Sequence, residues 1–237
     1  MTGRLYGVGV GPGDPELLTL KAARIIESAG VVAHFAKAGR SSNARSVVAH
    51  RLRPDVIELP LLYPVTIEIE KDQAAYREAI AAFFDGSAAT VAAHLDAGRD
   101  VAVLSEGDPF FYGSYLHLHA RLAQRYPTEV IAGVTGMSGC WSAVGQPLVR
   151  GDEVLSILPA TLPEVELARR LGECDGAVLM KLGRNLAKAR RALAAAGKAD
   201  RAIYVERGTM PGASTMRLVD KPDDVAPYFA VVLVPCR

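Results

Sequence analysis

Short apolar runs alternate with longer segments of helical periodicity along the first half of this chain. The apolar runs, which predict strands, cover residues 4–10, 31–36, 56–59 and 101–104. The segments that predict helices cover residues 15–29, part of 42–51, most of 70–97 with an interruption at Gly86, and 113–125. Because strands alternate with helices, this half is predicted to form an α/β structure with a largely parallel sheet.

The second half repeats the alternation with shorter links between some strands. Its predicted strands cover residues 129–132, 154–158, 177–182, 202–206 and 230–234. The shorter links predict a mixed sheet, because parallel neighbours need long crossovers. Tyr126, Pro127 and Thr128 are interpreted as a hinge, so the chain is predicted to form two α/β domains, 1–125 and 126–237. With 237 residues, half of them apolar, the chain is long enough to bury a large core.

Two glycine-rich loops follow predicted strands. Residues 7–15 read GVGVGPGDP, and residues 105–113 read SEGDPFFYG. Ligands in open α/β sheets bind beyond the carboxyl ends of the strands, so the two loops could face one ligand. Asp14 is predicted to cap the helix that follows the first loop. Taken alone, the second loop slightly favours a simpler interpretation, in which Asp108 caps the next helix.

The first loop does not fit a dinucleotide site. The G-x-G-x-x-G spacing fails because Pro12 stands where the third glycine is needed. Residues 31–38 contain no carboxylate that could bind a ribose, and no Walker lysine follows the loop. Asp14 would also repel a phosphate. A ligand with little negative charge, such as a nucleoside, is therefore favoured over a nicotinamide cofactor.

Charge and cysteine content narrow the class of protein further. A net charge of +1 does not favour a broad nucleic-acid surface. Lys37, Arg40 and Arg45 lie in an acid-free segment and are predicted to bind substrate carboxylates, with solvated loop charges as the alternative. Three widely spaced cysteines indicate neither disulfides nor zinc. With no signal-like segment and no run of membrane-spanning length, a soluble cytoplasmic protein is predicted.

Five segments in order resemble the motifs of a known family, the tetrapyrrole (corrin and porphyrin) methylases, which use S-adenosylmethionine. The segments are 9–15 (GVGPGDP), 106–109 (EGDP, with Tyr112), 132–138 (AGVTGMS), 178–181 (VLMK) and 205–209 (VERGT). The family usually has proline where this chain has Ala132. The resemblance covers almost the whole chain. It implies a fold of two α/β domains with the cofactor in the cleft between them, and a homodimer.

The resemblance also implies the chemistry and the site. Methyl transfer from a sulfonium is an in-line displacement that needs no metal, so alignment of donor and acceptor is the main task of the protein. The residues that the motifs place at the S-adenosylmethionine site are Pro12, Glu106, Gly107, Asp108, Phe111, Thr135, Gly136, Met180, Gly208 and Thr209. Met180 could equally be a core residue on its strand. The partner is a small tetrapyrrole, with neither nucleic acid nor membrane.

Further segments are similar to one branch of the family, whose acceptor is carbon-20 of precorrin-2 in cobalamin biosynthesis. They are 110–115, 145–148, 151–153 and 158–161. The alternatives are a cobalt-containing ring (cobalt-factor II), another corrin carbon, or, less favoured, an acceptor such as ribosomal RNA; a non-catalytic binding module is a further class. Removal of the carbon-20 proton calls for a base, and the unassigned candidates are Glu106, Tyr112, His117 and Glu206. His117 and His119 are two apart on a predicted helix, which argues against a shared metal.

Overall fold

The computed structural model describes residues 1–64 and 74–236, which form two compact units, Met1–Thr135 and Gly136–Arg237. Each unit is an α/β structure with a five-stranded sheet, so the predicted fold class is confirmed. Within the described ranges, no helix is both long and apolar enough to cross a membrane.

The N-terminal sheet, predicted to be largely parallel, is parallel throughout. Its strands are β1 (Leu5–Gly9), β2 (Val31–Lys37), β3 (Ile57–Tyr63), β4 (Val101–Ser105) and β5 (Thr128–Ile131). They lie in the order β3-β2-β4-β1-β5, and every pair is parallel. Two apolar clusters cover the two faces, one containing Leu5, Val103 and Leu118 and the other Val8, Ile26 and Leu104. Burial on both faces explains why β1, β2 and β4 are nearly continuous apolar runs.

The helices of this unit differ in detail from the predicted ones. They are α1 (Leu20–Ser28), α2 (Asn43–Val47), α3 (Ala74–Asp96) and α4 (Tyr115–Leu122). Asp14 caps a separate 3-10 turn, Pro15–Leu17, and α1 has its own cap in Thr19, whose hydroxyl accepts from the Ala22 amide at 3.2 Å. The predicted interruption of the long helix is wrong, because α3 continues through Gly86. Its predicted start at residues 70–73 lies outside the described residues.

The division between the units falls after β5 and not before it. β5 pairs with β1, and Pro127 accepts a hydrogen bond from the Leu5 amide at 2.9 Å. Tyr126 is buried, and its hydroxyl donates to Asp96 Oδ1 at 2.8 Å. The predicted hinge at 126–128 is therefore an integral part of the N-terminal unit, and the boundary at 125/126 is displaced accordingly.

The C-terminal sheet is mixed, as predicted. Its strands are β6 (Leu155–Pro159), β7 (Gly176–Met180), β8 (Ile203–Glu206), β9 (Ser214–Arg217) and β10 (Ala230–Val234), in the order β6-β7-β10-β8-β9. The β6–β7 pair is parallel, and the pairs of β10 with β7 and β8, and of β8 with β9, are antiparallel. Its helices are α5 (Gly136–Val144), α6 (Glu164–Gly172) and α7 (Leu186–Ala195). The short polar strand β9 and the helix α5 were not predicted.

Candidate cofactor site

Three loops meet at the carboxyl end of the parallel sheet in the N-terminal unit. β1 lies between β4 and β5, so the loops that follow these three strands are neighbours. The Gly107 amide donates to the Gly11 carbonyl at 2.8 Å, and the Gly11 amide donates to Gly107 at 3.4 Å. The two glycine-rich loops are therefore in direct contact, and that they face one ligand stays a prediction.

Glycine is required where these loops touch. A Cβ placed on Gly133 would lie 2.0 Å from the Gly107 carbonyl oxygen, and one on Gly9 would lie 2.6 Å from the same oxygen. At both positions the added Cβ would clash with backbone atoms. Such a clash cannot be relieved by a flexible side chain moving away, so the backbone itself would have to shift. The close contact leaves bare peptide groups at the carboxyl edge of the sheet, a surface suited to a ligand bound through its polar groups.

Asp108 joins two of the loops. One carboxylate oxygen accepts from the Phe110 amide at 2.9 Å, and the other accepts from the Gly133 amide at 3.0 Å. The simpler interpretation of Asp108 as a helix cap is wrong, because α4 begins after Ser114 without a side-chain cap. Asp108 holds the loop after β4 against the loop after β5, and its neighbour Gly107 adopts a φ of 65° that favours glycine.

Glu106 is attached to a different element. Its carboxyl accepts hydrogen bonds from the Asn43 side chain and from the Ala44 amide at the start of α2. The residue has an exposed face, but protein atoms crowd the carboxyl, and this desolvation raises its pKa against the opposing effect of the two hydrogen bonds.

The aromatic residues after Glu106 line the start of α4. Tyr112 is about half exposed and has a φ of 55°, and its ring lies edge-on to Phe111 with centroids 4.8 Å apart. His117 stacks on Phe84 of α3 at 4.0 Å, and desolvation lowers the pKa of its imidazole. His119 instead contacts Phe110, with ring centroids 4.9 Å apart.

In the described part of the chain, no three His, Cys, Asp or Glu side chains are grouped as metal ligands.

The predicted substrate cations occupy three different environments. Lys37 is the last residue of β2, and Arg40 is exposed in the turn that follows. Arg45, on α2, forms a two-pronged ion pair with Glu58 of β3, at 2.8 and 2.9 Å. The segment that contains these three cations has no acidic residue of its own. The parallel pairing of β2 with β3 nevertheless brings Glu58 beside it.

The predicted residues of the C-terminal unit surround α5 or lie on β8. Gly136 begins α5, and Met180 packs against the apolar cluster that contains Cys140. A Cβ on Gly208 would lie 2.7 Å from the Cys140 sulfur, and Thr209 follows directly. Burial of the Cys140 thiol raises its pKa to about 11, against the opposing effect of a hydrogen bond from the Gly208 backbone. Glu206 accepts from the buried Tyr204 hydroxyl at 2.5 Å.

Sequence reasoning missed Asn43 and Ser105. Asn43 could not be found, because its link to Glu106 joins residues far apart in the sequence. Ser105 ends β4 and is 6% exposed, and its hydroxyl has no hydrogen-bond partner among the described residues. A buried hydroxyl without a partner is uncommon in folded proteins, and this one stands directly before the second glycine-rich loop. Ser105 could have been selected from the sequence, because it ends an apolar strand and stands directly before the EGDP motif.

These features define a class of protein. The family model described as "Tetrapyrrole (Corrin/Porphyrin) Methylases" matches residues 4–219, and the chain belongs to this family. The resemblance inferred from the five motifs is therefore confirmed.

Individual relatives narrow the comparison. The chain is 64% identical over 233 residues to the precorrin-2 C(20)-methyltransferase of Sinorhizobium sp, covering 98% of this chain and 95% of the relative. It is 30% identical over 239 residues to the cobalt-precorrin-2 C(20)-methyltransferase of Salmonella typhimurium, covering 99% and 97%. The structure of the uroporphyrin-III C-methyltransferase of Thermus thermophilus, complexed with S-adenosyl homocysteine, matches with a TM-score of 0.69 and 25% identity, covering 98% of this chain and 92% of that one.

Proposed function

We propose that this protein transfers a methyl group from S-adenosylmethionine to carbon-20 of precorrin-2, which gives precorrin-3A in cobalamin biosynthesis. The observation that carries the proposal is the 64% identity to the Sinorhizobium precorrin-2 C(20)-methyltransferase over nearly the full length of both chains. The order of the five motifs and the position of the glycine-rich loops at the carboxyl edge of the sheet support it.

The three loops that meet after β1, β4 and β5 in the N-terminal unit fit S-adenosylmethionine. Backbone groups of the loop around Pro12 can bind the polar parts of a nucleoside and an amino acid without adding a charged side chain of their own. Asp108 orders the loops around the cofactor, because both of its oxygens accept backbone amides. When bound, S-adenosylmethionine supplies a methyl group on a sulfonium, and we assign Phe111, Thr135, Gly136, Met180, Gly208 and Thr209 to its surroundings by their motifs.

The acceptor carries many carboxylates, and Lys37 and Arg40 are proposed to bind them. Arg40 is exposed on a turn beside the carboxyl edge of the sheet, where a guanidinium can form two-pronged contacts with a carboxylate. Arg45 is a weaker candidate than the sequence indicated, because Glu58 already occupies its guanidinium.

The four candidate bases differ in how they are engaged. Methylation of a carbon that bears hydrogen leaves a proton to be removed, so a base needs an available lone pair near that carbon. Tyr204 donates to the Glu206 carboxyl, the His117 ring is stacked on Phe84, and Glu106 accepts two hydrogen bonds from α2. Tyr112 lies in the second motif with an exposed ring. No base is assigned among them.

The test is anaerobic incubation of the purified protein with precorrin-2 and S-adenosylmethionine that carries a labelled methyl group. We expect mass spectrometry to show the gain of one methyl group and NMR to place the label on carbon-20. Omission of S-adenosylmethionine is the control. Methylation at another carbon would contradict the assigned acceptor position, and a bound cofactor without transfer to any tetrapyrrole would contradict the enzymatic function.

A second candidate acceptor is the cobalt-containing ring. The observation that favours it is the 30% identity to the Salmonella cobalt-precorrin-2 enzyme, over 99% of this chain. The higher identity to the Sinorhizobium relative makes metal-free precorrin-2 the preferred acceptor. Equal concentrations of the two rings in one reaction would decide between them, because the ratio of products equals the ratio of kcat/KM values.

A homodimer and a cytoplasmic location are part of the proposal. The first rests on the family resemblance and the second on the three cysteines, which carry free thiols. Light scattering during size-exclusion chromatography tests the first, with twice the mass of 25.2 kDa expected. A mass of one chain at micromolar concentration would contradict it.

A further inference from the structure

Glu106 connects the second glycine-rich loop to the β2–α2 segment, defined here as residues 38–47. The carboxyl follows β4 directly, and it accepts hydrogen bonds from the Asn43 side chain and the Ala44 amide. Ala44 is buried, so its amide is a donor with little access to water. A carboxylate is the strongest acceptor that a side chain can offer to such a donor.

The same segment is anchored from a second strand. Arg45 forms its two-pronged ion pair with Glu58 of β3. Within the segment, the Ser42 hydroxyl accepts from the Arg45 amide at 3.3 Å, and the Ser42 carbonyl accepts from the Ser46 amide at 3.0 Å. The start of α2 is therefore held by one acid after β4 and by another acid on β3.

Arg40 lies between β2 and these two anchors. Arg40 sits in the turn between the end of β2 and the start of α2, and its amide donates to the Lys37 carbonyl at 3.0 Å. The turn is exposed, so few packing contacts restrict it. The turn, residues 38–42, is attached to β2 at one end and to Asn43 and Ala44 at the other, and Glu106 holds this second end.

We propose that Glu106 is a positioning residue, which fixes the β2–α2 segment beside the cofactor loops so that Arg40 meets the carboxylates of the tetrapyrrole. This inference rests on the proposed function and deepens it. It assigns to Glu106 a role in binding the acceptor, in place of proton removal or direct contact with the cofactor.

Three variants separate these roles. Glu106→Ala removes both hydrogen bonds. Glu106→Gln keeps an acceptor oxygen for the Ala44 amide, and the Asn43 amide can turn so that its oxygen accepts from the new NH₂ group. Asn43→Ala removes one donor at an exposed position, where loss of the fold is not expected. All three are compared by steady-state kinetics with precorrin-2 and by calorimetry with S-adenosylmethionine.

For Glu106→Ala, we expect KM for precorrin-2 to rise about tenfold, with kcat and the Kd of S-adenosylmethionine changed less than about threefold. Asn43→Ala should reproduce part of this rise, and the double variant should be no worse than Glu106→Ala alone. Glu106→Gln should restore KM to within about threefold of the parent. Loss of kcat in Glu106→Gln would instead identify Glu106 as the base, and weaker cofactor binding in Glu106→Ala with unchanged KM would identify it as a cofactor contact.

Hydrogen exchange of the ligand-free protein provides a test that does not depend on activity. The amides of Arg45, Ser46 and Val48 should exchange at least about tenfold faster in Glu106→Ala than in the parent or in Glu106→Gln. Unchanged exchange would overturn the positioning role whatever the substrate is. Faster exchange in a protein that methylates neither precorrin-2 nor its cobalt form would keep the anchor and reject the proposed function.

Discussion

At the scale of single residues, Asp108 shows why a carboxylate is needed in the second glycine-rich loop. The Phe110 and Gly133 amides point at its two oxygens, at 2.9 and 3.0 Å. An ionised carboxylate has only acceptors, so both amides are satisfied at once. The residue could be selected from the sequence, but its second bond could not, because Gly133 is 25 positions away and meets it only after β5 pairs with β1.

Asp108→Asn should therefore be almost as harmful as Asp108→Ala. The asparagine NH₂ group would face one of the two amide donors, which leaves a polar group without a partner. We expect the Kd of S-adenosylmethionine to rise at least about tenfold and the free energy of unfolding to fall by about 1–3 kcal/mol. Calorimetry and urea denaturation measure the two effects, with the exposed Asp55→Asn as the control. A Kd within twofold of the parent would show that the loop connection does not matter for binding.

At the scale of elements, α3 shows how packing overrides a local signal. Gly86 lowers helix propensity by about 1 kcal/mol relative to alanine, and an interruption was predicted there for this reason. The helix nevertheless continues, because Phe84, Ala88 and Val91 are buried against the sheet on either side of the glycine. The spacing of apolar residues along the helix was the better guide, since burial of several side chains outweighs one unfavourable residue.

Gly86→Ala should stabilise the protein. No atom lies within 4 Å of the added Cβ, and Gly86 does not have the positive φ that would strain alanine. We expect the free energy of unfolding to rise by about 0.5–1 kcal/mol, measured by urea denaturation. Gly107→Ala is the matched comparison and should destabilise, because its φ of 65° is strained for alanine. A loss of stability in Gly86→Ala would mean that this position needs the flexibility of glycine.

The ion pair between α2 and β3 should make a small part of the stability depend on pH. The hydrogen bond from Arg45 lowers the pKa of the Glu58 carboxyl in the folded protein below its unfolded value of about 4.3. The stabilising contribution is therefore present above that unfolded value and is lost as the pH falls through the folded pKa. Because both side chains are more than a third exposed, the contribution should be below about 1 kcal/mol.

Glu58→Gln tests this dependence. Urea denaturation should show the variant less stable than the parent at pH 7, with the difference closing as the pH falls below about 4. The exposed Glu78→Gln on α3, where the same substitution removes no ion pair with α2, serves as the control. A difference that persists unchanged at pH 3 would mean that packing of the side chain, rather than its charge, anchors α2.

At the scale of the whole molecule, the sequence predicted two α/β units and the type of each sheet, but not which unit owns β5. Apolar periodicity identifies a strand without identifying its neighbour. Tyr126, Pro127 and Thr128 have the composition of a linker, and only the pairing of β5 with β1 shows that they belong to the first sheet. The contacts between the loops at the site could not be predicted from the sequence for the same reason, because they depend on the order of the strands in the sheet.

Fragments of the chain distinguish the two boundaries. We propose that residues 1–135 fold alone, because both apolar clusters of the N-terminal sheet lie within them. Residues 1–125 lack β5, the buried Tyr126 and Ile131, and leave the β1 edge unpaired. We expect 1–135 to unfold cooperatively in urea with a near-ultraviolet circular dichroism signal, and 1–125 to lack that signal and bind a hydrophobic dye. Equal cooperative unfolding of both fragments would show that β5 is dispensable and would restore the boundary at 125/126.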